Sequence, residues 1–259
     1  MHLENHKLNH HYFSDEDYII LEGEPSPETL KRITDFICWT LELRPGHRVL
    51  DAGCGTGIIA SALAERDYVV TAIDSSDFMV SRCGAFASRT ANLTCLKQDY
   101  HTMSYHNQFD AVVSWNHSLG YTTREDDRNA LERMYKALAP GGKLLLDLHN
   151  LSAYLKYFIG RHWEERETAF ALRDAEYDFS ERKFICRGIV APKGSEPTRE
   201  QTLTFLEYEP DEIASVLQDI GFADVTFFGD DCPQDCGRMF CPEGYSEEST
   251  AMVIRAVKK

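Results

Sequence analysis

The sequence has little positive charge and no long apolar run. Its 259 residues include 27 Lys and Arg against 42 Asp and Glu, which gives a formal net charge of −15. Surfaces that bind nucleic acid concentrate Lys and Arg, so this balance argues against a nucleic-acid partner and favours a small-molecule one. No apolar stretch approaches the roughly 20 residues of a membrane-spanning helix, and the first residues lack the plan of a signal peptide. We therefore expect a cytoplasmic protein without a membrane partner; whether it forms a homo-oligomer stays open.

Paired cysteines and metal-ligand spacings are also scarce. Five of the eight cysteines stand singly, which predicts separate buried or half-buried thiols, at positions 38, 54, 83, 95 and 186. Cys232, Cys236 and Cys241 are clustered, but zinc sites use tighter pairs and a fourth ligand, and no histidine is near. This pattern favours a cysteine-containing loop over a metal site, and we predict no metal.

The order of apolar and polar segments predicts an α/β fold. Strands and helices alternate between residues 48 and 148, which is typical of a parallel sheet covered by helices on both faces. We expect a Rossmann-like, seven-stranded, mostly parallel sheet with a small antiparallel β insertion. The expected divisions are an N-terminal arm that covers the site (1–24), the cofactor-binding core (25–150), the β insertion or lid (151–208), and the rest of the core with a C-terminal hairpin (209–259).

A glycine-rich turn follows the first strand of this core. Val49–Ala60 reads Val-Leu-Asp-Ala-Gly-Cys-Gly-Thr-Gly-Ile-Ile-Ala, a buried strand, a tight turn and the start of a helix. A dinucleotide fingerprint requires a third glycine where Ile58 stands, so a dehydrogenase is disfavoured. A P-loop requires a lysine after the turn, and none follows.

Acidic residues end the next two strands. Asp74 closes the second strand, where a carboxylate can accept both hydroxyls of a ribose, although it could instead cap the helix that follows. Asp99 comes just after the third strand, where it could bind an adenine amino group or be an ordinary loop aspartate. Their order after the glycine turn favours an adenosine-containing ligand.

Two further motifs make a family resemblance specific. The fourth strand runs into Ser114–Tyr121, Ser-Trp-Asn-His-Ser-Leu-Gly-Tyr, and a Pro140-Gly141-Gly142 turn precedes the fifth strand. The ordered set from Val49 to Leu148 resembles the cofactor half of class I S-adenosylmethionine-dependent methyltransferases. The insertion at 151–208 is similar to the β lid of the members that methylate small molecules.

The resemblance implies S-adenosylmethionine as cofactor, S-adenosylhomocysteine as product, and a role for each matching residue. Asp51 would reach the methionine amino group, Asp74 the ribose and Asp99 the adenine. Tyr12 and Tyr18 would close over the substrate. The cofactor set implied is Asp51, Gly53, Cys54, Gly55, Gly57, Asp74, Ser75, Asp99, Tyr100, Trp115 and Asn116.

Methylation of an amine or hydroxyl also releases a proton, which gives a general base a role. His117 and His149 follow the fourth and fifth strands, where parallel sheets bind ligands, and His117 is the first choice, with Tyr121 as a partner that orients the substrate. The sequence leaves open N-, O- or C-methylation, a macromolecular substrate, and a non-catalytic protein that binds the cofactor or its demethylated product.

Overall fold

The computed structural model describes residues 16–157, 159–230 and 239–259. Within them lies a seven-stranded sheet of order β10-β11-β5-β4-β1-β2-β3. Strand β11 runs antiparallel to both β5 and β10, and the remaining pairs are parallel, as expected from the sequence. The strands are β1 Arg48–Ala52, β2 Val69–Asp74, β3 Leu93–Lys97, β4 Phe109–Ser114, β5 Leu138–His149, β10 Phe222–Phe228 and β11 Ala251–Lys258.

Helices cover both faces of this sheet because its central strands are apolar on both sides. Helices α2, α3 and α4 pack on one face around Val49, and α5 and α7 pack on the other around Leu50. In the described part of the chain no helix is long and apolar enough to cross a membrane. The helices are α1 Glu16–Glu22, α2 Pro27–Thr40, α3 Ile58–Ala64, α4 Asp77–Ala87, α5 Arg124–Ala137, α6 Leu151–Lys156 and α7 Pro210–Ile220.

The predicted insertion is a separate antiparallel sheet of order β6-β7-β8-β9. Its strands are β6 Arg161–Glu165, β7 Ala169–Asp178, β8 Lys183–Pro192 and β9 Arg199–Leu206. Its inner face buries Phe184 and Phe205 with Leu151 of α6. The sequence predicts three of these strands, at Ala169–Phe179, Phe184–Val190 and Gln201–Tyr208. It missed β6 because all five of its residues are exposed, so burial leaves no alternation to detect.

The segment expected to be an irregular arm contains helix α1, which packs against the insertion. Leu21 is buried in the same cluster as Phe184. Asp17 is also buried, and its carboxylate accepts hydrogen bonds from the Arg199 guanidinium of β9 at 2.7 to 3.0 Å. Glu22 pairs with Arg173 of β7 at 3.1 Å. Helix α1 is therefore fixed to the second sheet by charge as well as by apolar packing.

Two local expectations differ from the structure. Pro140-Gly141-Gly142, expected as a turn before the fifth strand, lies within β5. Leu138 pairs with Phe109 and Lys143 with Ala111, so the intervening residues bulge out, with Gly141 at φ 77°. Cys83 and Cys95, expected as separate thiols, form a disulfide between α4 and β3. Neither a bulge register nor a cysteine pairing can be read from the spacing of residues alone.

Candidate functional site

The carboxyl ends of the central strands open into a cavity of about 630 Å³. Residues that follow β1, β2, β3 and β4 form one side, and α1 and the second sheet form the other. A cavity at this end of a parallel sheet is the usual ligand position in such folds. The sequence-predicted residues that line it are Tyr18, Asp51, Gly53, Cys54, Gly55, Asp74, Ser75, Asp99, Tyr100, Trp115, Asn116, His117, Tyr121 and His149.

The glycine turn needs glycine at two positions in particular. Gly53 has φ 81°, and a Cβ there would lie 3.0 Å from the Ser118 side chain. Gly57 also has φ 81°, and its Cβ would lie 2.6 Å from the Cys83 sulfur. Gly57 does not line the cavity but starts α3 behind it. Close packing against Ser118 and Cys83 thus requires glycine at these two positions, and the residues of the turn that line the cavity include Gly53 and Gly55.

Asp74 organises the turn from the end of β2. Its carboxylate accepts the Gly55 N–H at 3.0 Å on one oxygen and the Ser76 N–H at 2.9 Å on the other. Burial raises the pKa of Asp74, and these two hydrogen bonds oppose the rise. The cap of α4 is Ser76, whose hydroxyl accepts the Met79 N–H, so capping is not the role of Asp74. The Ser75 backbone also hydrogen-bonds to this carboxylate, which lines the cavity and can accept from a ligand hydroxyl there.

Asp51 is a buried acid with one oxygen, Oδ2, that has no hydrogen-bond partner among the described residues. The residue is only 2% exposed, and burial, with the nearby charge of Asp74, raises its pKa to about 7. A ligand cation placed beside it would restore the ionised form. The chemistry of this corner of the cavity therefore fits an ammonium group.

Asp99 and Tyr100 follow β3. One Asp99 oxygen accepts the His101 backbone N–H at 2.8 Å and lies 2.9 Å from the His101 ring nitrogen Nδ1. Tyr100 donates its hydroxyl to the Ser118 carbonyl at 2.5 Å, which ties this loop to the segment after β4. The two loops together close one end of the cavity.

The backbone after β4 is held in an unusual conformation. Asn116 and His117 both have positive φ, 61° and 55°. Asp147 of β5 holds them: its carboxylate accepts the Asn116 N–H at 2.9 Å and its carbonyl the His117 N–H at 3.0 Å. Non-glycine residues at positive φ persist only where surroundings impose them, and they cluster at functional sites. The constraint points the Asn116 and His117 side chains into the cavity wall.

Three titratable side chains meet deeper in the cavity. His149 Nδ1 lies 2.8 Å from Glu207 Oε1, and His117 Nε2 lies 3.9 Å from Glu207 Oε2. The two imidazoles stack, with centroids 4.2 Å apart and planes at 13°. These three residues also form a group that could hold a metal ion. Sequence reasoning missed Glu207. A weak signal for it was available, because Glu207 continues the i, i+2 spacing of Leu203 and Phe205, the buried residues of β9, one position beyond the end of that strand.

Two of the tyrosines predicted to contact the substrate, Tyr18 and Tyr121, line the cavity. Tyr18 of α1 hydrogen-bonds to the Asn116 side chain, and burial raises its pKa. Tyr121 lies beside His117, with ring centroids 6.2 Å apart, and burial raises its pKa as well. Tyr12, Cys232 and Cys236 lie outside the described residues, whereas Cys241 is buried.

Comparison with known proteins starts with the core. Residues 49–142 match the family model of a methyltransferase domain. YqeM of Bacillus subtilis, which is named as a methyltransferase, is 38% identical over 105 residues, 40% of this chain and 42% of that protein. The glycine/sarcosine N-methyltransferase of Aphanothece halophytica is 28% identical over 203 residues, 76% of this chain and 74% of that protein. The chain spans about two fifths of the length of the first curated relatives that it matches.

Solved structures extend the likeness over the second sheet. The CcbJ methyltransferase of Streptomyces caelestis has a TM-score of 0.74 at 17% identity, covering 94% of this chain and 96% of that chain. CalS10, an amino pentose methyltransferase of Micromonospora echinaspora with S-adenosylmethionine bound, has a TM-score of 0.66 at 19% identity, with the same coverage. At such identities the likeness shows a shared fold.

Proposed function

We propose, from its membership of the class I S-adenosylmethionine-dependent methyltransferase family, that this protein transfers a methyl group from S-adenosylmethionine to a small molecule. The resemblance found in the sequence is confirmed by the methyltransferase-domain match of residues 49–142 and by the fold. The activity, the acceptor and the role of each residue below are part of the proposal.

One observation carries it: a single cavity joins the cofactor motifs to an enclosed acceptor end. Asp51 and Asp74 line one part, and Tyr121 and His149 line another, beneath the second sheet. A volume of about 630 Å³ lies within the range of small-molecule pockets. The sheet and α1 cover this space, which favours a small acceptor over a macromolecular one.

The residues present fit S-adenosylmethionine. The Asp51 oxygen that has no partner among the described residues suits the methionine ammonium, and the Asp74 carboxylate, which lines the cavity, suits the ribose hydroxyls. Asp99 would accept from the adenine amino group, with Ser75, Cys54, Trp115 and Asn116 along the remaining wall. When bound, the cofactor supplies an activated sulfonium methyl group.

With the methyl group already activated, the protein mainly aligns the nucleophile and excludes water. Helix α1 supports this role, since Tyr18 reaches across the cavity to Asn116 while Asp17 anchors the helix to β9. His117, Tyr121 and His149 border the acceptor end and are the candidate proton-handling and orienting groups. The net charge of −15 favours neutral or cationic acceptors.

The names of the relatives suggest which acceptors to try. Amines are represented by glycine, sarcosine and an amino pentose, and carbon acceptors by sterols. We propose a nitrogen, oxygen or carbon nucleophile of a small molecule, with amines first in the screen because they are also the cations that an acidic surface favours.

The first experiment is calorimetric titration with S-adenosylmethionine and S-adenosylhomocysteine, with NAD as the control. We expect micromolar binding of the first two and none of NAD. Acceptors are then screened by release of S-adenosylhomocysteine. Failure to bind either adenosyl compound would overturn the proposal. Binding without transfer to any small acceptor would instead indicate a cofactor-binding protein or a macromolecular substrate.

A further inference from the structure

We infer that Glu207 positions His149 as the group that takes the proton from the methyl acceptor, whose nucleophile is therefore an amine or hydroxyl. The inference rests on the proposed methyl transfer and narrows its acceptor class. His149 is assigned as a catalytic residue and Glu207 as a positioning residue.

The first support is the arrangement of ring nitrogens on His149. Nδ1 is engaged by Glu207 Oε1 at 2.8 Å, and Glu207 is fully buried. The His149 side chain is 37% exposed and borders the cavity, so Nε2 is the nitrogen that remains for a ligand. With Glu207 ionised, Nδ1 carries the proton and donates it to the carboxylate, which leaves the Nε2 lone pair as the acceptor.

The second support is that the ring cannot easily turn away. His149 lies between the stacked ring of His117, at 4.2 Å, and that of Tyr154 on α6, at 4.9 Å. The Phe205 ring meets it edge-on at 5.9 Å. A ring held on both faces and at one nitrogen presents a fixed Nε2, which is what proton transfer at hydrogen-bond distance requires.

His117, the first choice from the sequence, is placed less favourably. It is almost fully buried, and its Nδ1 accepts the His149 backbone N–H at 3.4 Å. Burial lowers the pKa of His117, and the neighbouring His149 lowers it further. Its other nitrogen lies toward Glu207 Oε2. His117 therefore remains neutral and packs against the His149 ring. Its Nδ1 accepts the His149 N–H and its ring also hydrogen-bonds to the Leu206 backbone, so neither nitrogen is left for the methyl acceptor.

The charges around His149 favour its protonated form overall. Burial lowers its pKa, but the hydrogen bond and charge of Glu207 outweigh this, and Asp147 of β5 and Glu22 of α1 add to the rise. The net pKa of His149 is raised, so the proton it receives is stabilised. The net pKa of Glu207 is raised too, because the effect of burial exceeds the opposing effects of its hydrogen bond to His149 and of the charges of His149 and Arg124.

The step balances without a further reactant. The acceptor lone pair forms the bond to the methyl carbon, and the carbon–sulfur bond breaks with its electron pair on sulfur. The proton of the acceptor N–H or O–H moves to Nε2 of His149, and it later leaves to solvent. The Glu207 carboxylate stays ionised and stabilises the imidazolium through Nδ1–H.

A metal ion is the competing occupant of this cluster, because the three ligand atoms lie within 4.8 Å of one another. The stacked rings disfavour it. The lone pair of an imidazole nitrogen lies in the plane of its ring, and the planes of His117 and His149 are only 13° from parallel. Two histidines that bind one metal ion must instead direct their lone pairs at a single point, about 2.1 Å from each nitrogen.

The test compares Glu207→Gln with wild type, and with Glu200→Gln as the matched control. Gln keeps the size of Glu207 and can accept from Nδ1–H, but it lacks the charge. Glu200 lies on β9 of the same sheet with a half-exposed side chain paired to Arg187, so its loss should change nothing. Calorimetry with S-adenosylmethionine comes first, and we expect equal binding by all three proteins.

The readout independent of any acceptor is a histidine titration by nuclear magnetic resonance, with the His149 signal assigned from a His149→Gln variant. In wild type we expect Nδ1 protonation in the neutral form and a pKa above the ordinary histidine value. In Glu207→Gln this pKa should fall. An unchanged His149 pKa would overturn the inference.

The kinetic readout uses the amine acceptors glycine and sarcosine, or the acceptor found in the screen. Because removal of the carboxylate weakens the base, kcat of Glu207→Gln on the plateau of the pH profile should fall at least about tenfold, and the acid limb of the profile should move to lower pH. His149→Gln should lose transfer but bind the cofactor, which keeps the inference testable if Glu207→Gln does not fold.

Two results would overturn the inference while leaving the proposed function intact: an unshifted pH profile, or one equivalent of tightly bound metal that is lost in Glu207→Gln. A wild-type protein that binds no S-adenosylmethionine would instead overturn the proposed function, whatever the His149 titration shows.

Discussion

Asp74 offers the sharpest test of the cofactor site, through the substitution Asp74→Asn. The carboxylate already accepts one backbone N–H on each oxygen, from Gly55 and Ser76. A bound ribose would donate its two hydroxyls to the same carboxylate. Asn retains one oxygen as an acceptor, but it replaces the other oxygen with an N–H₂ group that cannot accept a hydrogen bond. One hydrogen bond to the ribose is therefore lost, and the remaining one no longer has a charged acceptor.

The magnitude follows from those contacts. A hydrogen bond to a charged group contributes about 1.5–3 kcal/mol, and we assign one full bond and a weakened second one, about 3 kcal/mol in all. At 1.4 kcal/mol per decade this is a loss of about 100-fold in affinity for S-adenosylmethionine. The same change leaves a backbone N–H of the glycine turn without an acceptor, which costs about 1 kcal/mol of folding stability.

Calorimetric titration and thermal unfolding measure the two effects separately. The control is Asp77→Asn, three residues on, where the side chain is 82% exposed and pairs with Lys97 at the surface. We expect that control to bind like wild type. An Asp74→Asn protein that binds S-adenosylmethionine with wild-type affinity would refute the assignment of Asp74 to the ribose.

Three further predictions concern other parts of the molecule. Since Asp51 has a pKa of about 7, it is mostly protonated at pH 6, and a ligand ammonium should expel that proton. The binding enthalpy of S-adenosylmethionine at pH 6 should then depend on the ionisation enthalpy of the buffer. Binding enthalpies that are the same in all buffers would contradict this prediction. Gly57→Ala should destabilise the protein by about 2–4 kcal/mol through its positive φ and the close sulfur beneath it, whereas Gly84→Ala, with open space around it, should stabilise by about 0.5–1 kcal/mol. Equal melting temperatures for the pair would contradict the packing argument. Asp17→Asn should speed amide hydrogen exchange in α1 at least about tenfold by breaking the anchor to β9, while Glu196→Gln, which removes a 72% exposed partner of the same arginine, should not. Slow exchange in both would show that apolar packing alone holds the helix.

The sequence predicted the large sheet well because its strands carry strong local signals. Strand β4 and helix α7 begin and end at the residues that the sequence predicts, Phe109–Ser114 and Pro210–Ile220, because an apolar run marks the first and Pro210 and Gly221 mark the ends of the second. Helix α1 was missed because its seven residues are too short for a clear period, and its position depends on Arg173 and Arg199, more than 140 residues away. Such pairings have no local trace.

The site divides in the same way. Residues fixed by a motif, such as Asp51 and Asp74, were found because the glycine turn and strand ends place them. Glu207 was not found because its importance comes from a partner, His149, that is 58 positions earlier in the chain. Tyr18 was picked from the sequence only by resemblance, and its contact with Asn116 requires the folded chain.

The cavity wall is divided along the chain in a way that bears on how such an enzyme could diversify. The proposed cofactor motifs all lie between residues 51 and 116, whereas much of the opposite wall comes from α1 and from residues 149 to 205. A substitution, insertion or recombination event in either of the latter segments would reshape the acceptor end while leaving the glycine turn, Asp74 and Asp99 untouched. Under the proposed function, the acceptor end can therefore change while the cofactor end stays constant, and β7 to β9 are the segment to exchange when a new acceptor is sought by directed evolution.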